Sequence, residues 1–437
     1  MQSKYLIPYI VAAILIATTG CSKKLDDVNP DTQIRFETIT DRDLPYIING
    51  TYLALTNNSY NSYYFLHDLM SDDVETLIGN VYNDNAVTIN DNSAGLNYQY
   101  AYRALANANI VIRYAEGKTD TVVLQSYGAA KFLRAYCYLR LVQYYGGLPI
   151  KLGGESAIDK PSRNTTEQLY DLIISDLKSA ITVLPDFVAG STYKPSKQAA
   201  HALLARVYLE TGKNAEAKTE AMTVISSGKF TLDNNFSNLF GYASTSTENI
   251  FRIGENSTSA NSGLALAYNP ATSVGNYWID SNLVKSYESA DKRRALYSYK
   301  LNTNLGLWVY YSTKFPGEMN HAYPVLRYSE LFLIAAEADA RAGTVDVTRY
   351  NTLRTARNAS TKSNSDFATP QDFINEIEKE RRREFVGEAV RWQDMRRYGK
   401  AIPFLQSKTR PAGYVLLPIP EREIFLNPNM KQNTGYN

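Results

Sequence analysis

The sequence predicts a mainly α protein, a tetratricopeptide-like scaffold of helical hairpins with loop-rich insertions and few short strands. Apolar residues recur with a 3.6-residue period along most of the chain. Two hairpins rich in small residues lie far apart in it, and two Asn-, Ser- and Thr-rich stretches break the period.

Residues 42–56 form a first amphipathic stretch and residues 98–116, YQYAYRALANANIVIRYAE, a second, ended by Gly117. A third covers 122–145 and stops at Gly146-Gly147, with Pro149 beyond. A fourth covers 165–184, with Thr165 or Thr166 as N-cap and Pro185 as terminator. In SKQAAHALLARVYLETGKNAEAKTEAMTVISSGKF, Ala200, Leu203, Leu204, Val207 and Tyr208 stripe one helix. Gly212 makes the turn, and Ala217, Ala221, Val224 and Ile225 stripe the partner. Small side chains at the crossing let the axes approach, as in a tetratricopeptide-type pair. RYSELFLIAAEADARAGTVDVTRYNTLRTARNA repeats the plan with Ala335, Ala336, Ala340 and Gly343. Two such hairpins predict a solenoid-like stack interrupted by insertions.

The run from Lys379 to Lys400, KERRREFVGEAVRWQDMRRYGK, holds eight Lys or Arg residues. Glu376, Glu378, Glu380, Glu384, Glu388 and Asp394 alternate with them. That pattern predicts a helix laced with i,i+3 and i,i+4 ion pairs. The chain has 46 basic and 44 acidic residues, a formal charge of +2. A protein that grips phosphate backbones carries a basic excess, so no nucleic-acid partner is expected.

The helical period lapses over residues 230–324 and over 57–97, in stretches such as STSTEN, NSTSANSG and NNSYNSYY. Trp278 and Trp308, two of the three tryptophans, fall in the first of these. The chain also has 34 Tyr against 15 Phe. Tyrosine joins an apolar ring to a polar tip, which suits a half-wet recognition surface. Loops held by a rigid scaffold are where such residues gather.

The chain opens MQSKYLIPYIVAAILIATTGC, with Lys4 as a positive n-region and an apolar run over 6–17 too short to span a bilayer comfortably. Small residues lead into Cys21, so residues 1–20 resemble a bacterial lipoprotein signal and Cys21 its lipidated cysteine. Lys24, Asp26 and Asp27 resemble the surface-export signal of Bacteroidetes lipoproteins. The DVNPDTQ stretch reads as a tether. With Cys21 lipidated, Cys137 has no intramolecular disulfide partner; its helical spacing with Leu133, Tyr136 and Leu141 predicts a buried small hydrophobe.

The C-terminal third resembles the SusD/RagB family, the surface glycan-binding lipoproteins of Bacteroidetes. YSELFLIAAEADARAG and YNTLRTARNA resemble its paired helices, and the Lys379–Lys400 run resembles its Glu-Arg-Arg…Gly-Glu…Arg-Trp…Asp-Met-Arg-Arg-Tyr-Gly signature. LLPIPEREIFLNPNMKQNTGY resembles its closing pattern and RAYCYLRLVQYYGGLPI its N-terminal one. The resemblance implies a single SusD-like domain over residues 21–437, with a loop-rich insertion at about 230–324. It also implies a lipid-anchored protein on the exterior of the outer membrane. Such a protein captures oligosaccharide and delivers it to a SusC-like TonB-dependent transporter, without catalysis and without a cofactor.

The family has no fixed ligand motif, so candidate contacts are chosen by residue type and by place in the irregular stretches. They are Tyr82, Asn83 and Asp84 in residues 57–97, and Tyr277, Trp278, Trp308, Tyr310 and Tyr311 in residues 230–324. Sugar C–H faces stack on such rings, and Asn and Asp bond the hydroxyls. The alternative for each ring is packing of the insertion against the scaffold.

Two rival functions stand beside glycan capture. A peptide-binding member of the same family would have the same scaffold, with a charged or backbone-pairing cleft. A surface glycoside hydrolase would need two carboxylates about 5–10 Å apart. Asp72 and Asp73 are only adjacent in sequence, and the histidines His67, His201 and His321 are scattered. No G-x-S-x-G, H-E-x-x-H or Gly-rich phosphate loop is present. Asp84, Asn85, Asn90 and Asp91 are oxygen donors without EF-hand spacing, so no metal is expected.

Overall fold

The computed structural model describes residues 36–56, 66–76, 79–156, 158–256, 277–315 and 320–436. Cys21 and the leader before it lie outside the described residues. Two compact units divide the chain, Met1–Asp43 and Leu44–Asn437. In the first, Phe36–Thr38 and Asp41–Asp43 are single 3-10 turns, and the Asp43 carboxylate accepts from the N–H and hydroxyl of Thr40.

The second unit begins with helices α1 (Leu44–Thr56), α2 (Asn92–Ala115), α3 (Thr121–Tyr145), α4 (Thr166–Val183), α5 (Lys197–Glu210) and α6 (Asn214–Ile225). After a β-rich region containing the short α7 (Ser281–Lys285) come α8 (Tyr328–Arg341), α9 (Thr348–Ala356) and α10 (Pro370–Phe385). Three short helices close the chain: α11 (Arg391–Arg397), α12 (Ala401–Ser407) and α13 (Glu421–Leu426). Each of α1 to α6 packs on the next, and α6 packs on α8, so the two hairpins α5/α6 and α8/α9 are continuous in space. Arg206 of α5 binds Glu330 of α8 at 2.6 Å, and Lys218 of α6 binds Asp339 of α8 at 2.5 Å. The chain between them is looped out of the stack, as the period break predicts.

Local chemistry sets the helix ends. Thr165 and Gln168 form a reciprocal capping box at the start of α4. α2 begins at Asn92 rather than Tyr98, because the Asp91 carboxylate accepts from the Ala94 N–H at 2.9 Å. The Asn-rich composition of that turn hides the cap from a hydrophobicity pattern. α3 is the central helix, buried on all sides from Phe132 to Tyr145. Burial pushes the Cys137 thiol up to about 12, which keeps it an inert small hydrophobe. Gly128 lets α3 meet the end of α4: a Cβ there would lie 2.7 Å from the Val183 side chain. Inside, Arg134 reaches Asp176 at 2.6 Å and Asn109 at 2.9 Å, so its charge is compensated.

The irregular stretches hold the strands. β1 (Val74–Thr76), β3 (Tyr277–Ile279), β4 (Tyr297–Asn302) and β5 (Leu307–Ser312) form one sheet in the order β1-β3-β5-β4. β2 (Asn249–Asn256) pairs antiparallel with β6 (Asn320–Arg327), which runs directly into α8. So the described part of residues 230–324 is more regular than its composition suggests. YSYKLN and LWVYYS each have the period-2 alternation of a strand, joined by a turn through Gly306 at φ +66°. One large core runs from α1 through the stack to α12, and a second, around Leu333, Tyr350, Phe373 and Phe385, joins α8, α9 and α10.

Candidate functional site

The four-stranded sheet gathers the five candidate rings Tyr277, Trp278, Trp308, Tyr310 and Tyr311, but on two faces. Register decides which ring goes where, because neighbours along a strand point to opposite sides. Tyr299 stands opposite Tyr310, Leu301 opposite Trp308, and Ile279 also opposite Tyr310. These residues share one face. On it, the Tyr299 ring lies 5.3 Å from Trp308 and 4.8 Å from Tyr310, each pair tilted by 30–39°. Trp308 is 57% exposed and Tyr299 55%, among the most open rings in the molecule. Tyr310 is partly buried and rests on the main core, as does Tyr277 farther along the same face. The result is a three-ring platform, open at its outer end and anchored at its inner end.

The same register gives this face Val74, Thr76, Tyr297 and Ser312 besides the residues above. None of them is an acid or a Lys or Arg. The platform is therefore electrically neutral, with hydroxyls at the rims of its rings.

Trp278 and Tyr311 face the other way. They pack with Val309 into a small satellite cluster, and Trp278 is only 8% exposed. Its indole N–H donates to the Glu75 carboxylate at 2.7 Å. Both rings are closed to stacking, so as ligand contacts they are corrected: they stiffen the sheet from behind. Tyr82 is likewise buried and donates its hydroxyl to Asp91. Asn83 donates to the Val74 carbonyl at 2.9 Å, pinning its loop to β1. The backbone carbonyls of Asn83 and Asp84 accept from Lys408 and Arg410. Residues 82–84 thus brace β1, the start of α2 and the segment around Lys408 and Arg410.

Tyr299 was not among the candidates of the sequence. Its signal is the alternation Tyr297, Tyr299, Leu301 beside Trp308 and Tyr310, legible once the two runs are read as a hairpin.

The Lys379–Lys400 run forms α10, α11 and the turn between them. Its ion pairs are mostly long-range. Arg383 with Glu380, and Arg397 with Asp394, are the i,i+3 kind expected. Glu384 instead receives Arg357 at 2.7 Å, Arg327 at 2.7 Å and Arg293 at 2.9 Å. Arg381 pairs with Asp394 at 2.7 Å, and Arg391 with Asp72 at 2.6 Å. The expected i,i+3 and i,i+4 lacing is only part of the pattern, because the run is buried and a buried charge must find partners wherever the fold brings them. Arg382 ties this frame to the platform. It donates to the Asp73 carboxylate at 2.7 Å and to Asp280 at 3.3 Å, the residues bounding β1 and β3. The Asp280 N–H completes the join by donating to the Asp73 carbonyl at 2.9 Å.

Acid–base groups do not converge on an open site among the described residues. Burial pushes Asp73 up to about 6 against the pull of Arg382, yet its side chain has no solvent access. Burial, then Arg396 and Arg140, lower His67 to about 3, so it is neutral at physiological pH and packs 4.3 Å from the Tyr144 ring. His201 meets Glu220 at 2.5 Å on the helical stack. No group of three metal-ligating side chains occurs among the described residues, and no described helix is long and apolar enough to cross a membrane.

These features define a class: a helical-repeat scaffold that carries an inserted sheet with an aromatic, neutral outer face. Residues 24–209 match a family model described as "Starch-binding associating with outer membrane", and residues 275–414 match that of the SusD family. The chain belongs to the SusD/RagB family. It is 28% identical to SusD-like protein P2 of Formosa agariphila, with full coverage of both chains. A SusD-like protein of Bacteroides fragilis has the same fold, with TM-score 0.78 at 19% identity over 94% of this chain and 99% of its own. A SusD-like carbohydrate binding protein from the same species also superposes, with TM-score 0.78 at 17% identity over 90% and 99%.

Proposed function

We propose that this chain captures neutral oligosaccharide on the Tyr299–Trp308–Tyr310 platform and hands it to a SusC-like TonB-dependent transporter. In this reading Cys21 carries the lipid that holds the protein on the outer face of the outer membrane, and the chain performs no chemistry on its ligand. The observation that carries the reading is the platform: adjacent rings about 5 Å apart, open to solvent, on a face without a formal charge. Sugar rings present apolar C–H faces that stack on such a surface, and uncharged hydroxyls need no counter-ion. Similar solved proteins described as sugar binding, from Bacteroides vulgatus, and as carbohydrate binding, from Bacteroides fragilis, support the ligand class. Millimolar capture, worth only about −4 kcal/mol, suits a protein that must release its ligand.

A second reading has one feature in its favour. β4 ends the sheet, so among the described residues no strand pairs with its outer edge, where an extended peptide would add as a further strand.

Affinity electrophoresis of residues 22–437 through a panel of neutral and acidic polysaccharides tests the proposal, with reducing-sugar release measured alongside. Retardation by a neutral glycan, lost in Tyr299→Ala and Trp308→Ala and unaccompanied by sugar release, is the expected result. Retardation by none of the glycans, with binding of an unstructured peptide library instead, would transfer the platform to peptide capture. Sugar release would overturn the non-catalytic reading.

A further inference from the structure

A groove of about 680 Å³ lies between α1, the first turns of α3, the 184–195 connection and β2, and shares no lining residue with the platform. That volume is in the range of small-molecule sites. Arg252 lines it and is only 3% exposed. Its guanidinium donates to Thr192 Oγ1 at 3.0 Å and to the carbonyls of Gly241 at 3.0 Å, Tyr242 at 3.4 Å and Ser244 at 2.9 Å. All four acceptors are neutral. Arg134, Arg293, Arg327, Arg354, Arg357 and Arg381 are as deeply buried, and each meets a carboxylate. Arg252 meets none among the described residues. Its positive charge is held in place but not neutralised, and a buried charge in that state favours an anion.

The rest of the groove agrees. Among the described residues on its wall, Lys194 is the other charged one and none is an acid. The Tyr193 ring covers the guanidinium, 4.6 Å from its centroid, and stands 5.7 Å from the Tyr242 ring. Gly254 makes room for both rings, since a Cβ there would fall 2.8 Å from Tyr193 and 3.2 Å from Tyr242. Tyr52 also lines the groove, and its hydroxyl is buried with no hydrogen-bond partner.

We propose that this groove is a second ligand site, for a small organic carboxylate with a ring-shaped body. The carboxylate faces Arg252 and Lys194, and the ring lies against Tyr193 and Tyr242. A free aryl acid and the uronic acid end of a sugar chain share this chemistry. The site is independent of glycan capture on the platform.

Sodium phenylacetate, sodium glucuronate and neutral phenylacetamide are titrated into residues 22–437 by calorimetry and ligand-observed NMR. At least one acid saturates the protein, phenylacetamide binds about tenfold more weakly or less, and added salt weakens the acid alone. Which acid binds better tells an aryl acid from a sugar acid. Lys194→Gln weakens the acid about threefold with melting unchanged, since Lys194 is exposed. Tyr52→Phe keeps or raises the melting temperature, because it deletes an unpaired buried hydroxyl. Arg252→Gln removes the preference for acid over amide; should it not fold, the acid–amide comparison and Lys194→Gln still decide. No saturable acid binding, or equal binding of phenylacetate and phenylacetamide, overturns the site.

Discussion

Trp308 and Trp278 belong to the same small sheet and differ in one respect, the side on which the strand register puts them. Trp308 is open and touches mainly Tyr299, so Trp308→Ala removes stacking area without opening a core. Its expected effect is a loss of glycan affinity of about tenfold, or ~1–2 kcal/mol, with an unchanged melting temperature. Trp278→Ala removes a packed ring and its hydrogen bond to the exposed Glu75 carboxylate. That change costs about 3–5 kcal/mol of stability, read in a urea titration. A Trp278 variant that melts normally but loses glycan would return Trp278 to the ligand site. At Ala389 the backbone has φ +57°, a left-handed conformation in which a side chain is strained. Ala389→Gly should stabilise the protein by up to about 1 kcal/mol, measured in the same titration.

At the scale of the element, α10 holds the molecule together by charge. Burial opposes the ionisation of Glu380, but Arg293, Arg383 and Arg354 outweigh it and hold the carboxyl at about 2. Glu384 is held well below its usual value in the same way, by Arg357, Arg327 and Arg293 against its own burial. Both folded values are depressed, so the stability they contribute is present above the unfolded value of 4.5 and is lost as pH falls from there toward 2. Melting temperatures recorded across pH 2 to 7 should therefore drop steeply below about pH 4.5. Glu384→Gln leaves three arginines short of a carboxylate and is expected to cost about 3–5 kcal/mol at neutral pH. A variant as stable as the parent would mean that the network is neutral overall, its desolvation cost matching its attraction.

The whole molecule joins two systems of different kinds. The helical stack is held by small-residue crossings, and the platform sheet is held to it by ion pairs that span the chain. Arg382 is the join, since it grips the roots of both β1 and β3. Arg382→Met is expected to lower glycan affinity about threefold to tenfold although Arg382 is not on the platform face, because the sheet loses its fixed orientation. Electrophoretic retardation equal to the parent's would show that strand pairing alone fixes the sheet.

The sequence by itself determined the helical hairpins, the caps at Thr165 and the turn at Gly212, and the charged run as a structural element. Those features are local: a period of 3.6, a side chain bonding three residues on, a glycine at a turn. It also put Trp308 and Tyr310 in the stretch that folds into the open aromatic face. Only the tertiary structure decided which rings face solvent. Trp278 meets Glu75 from 203 residues away, and Arg391 meets Asp72 from 319 residues away. Strand register and buried ion pairing are long-range choices, made when distant segments compete for the same partners. A one-residue shift in register would exchange Trp308 for Val309 on the platform and leave every local pattern in the sequence unchanged.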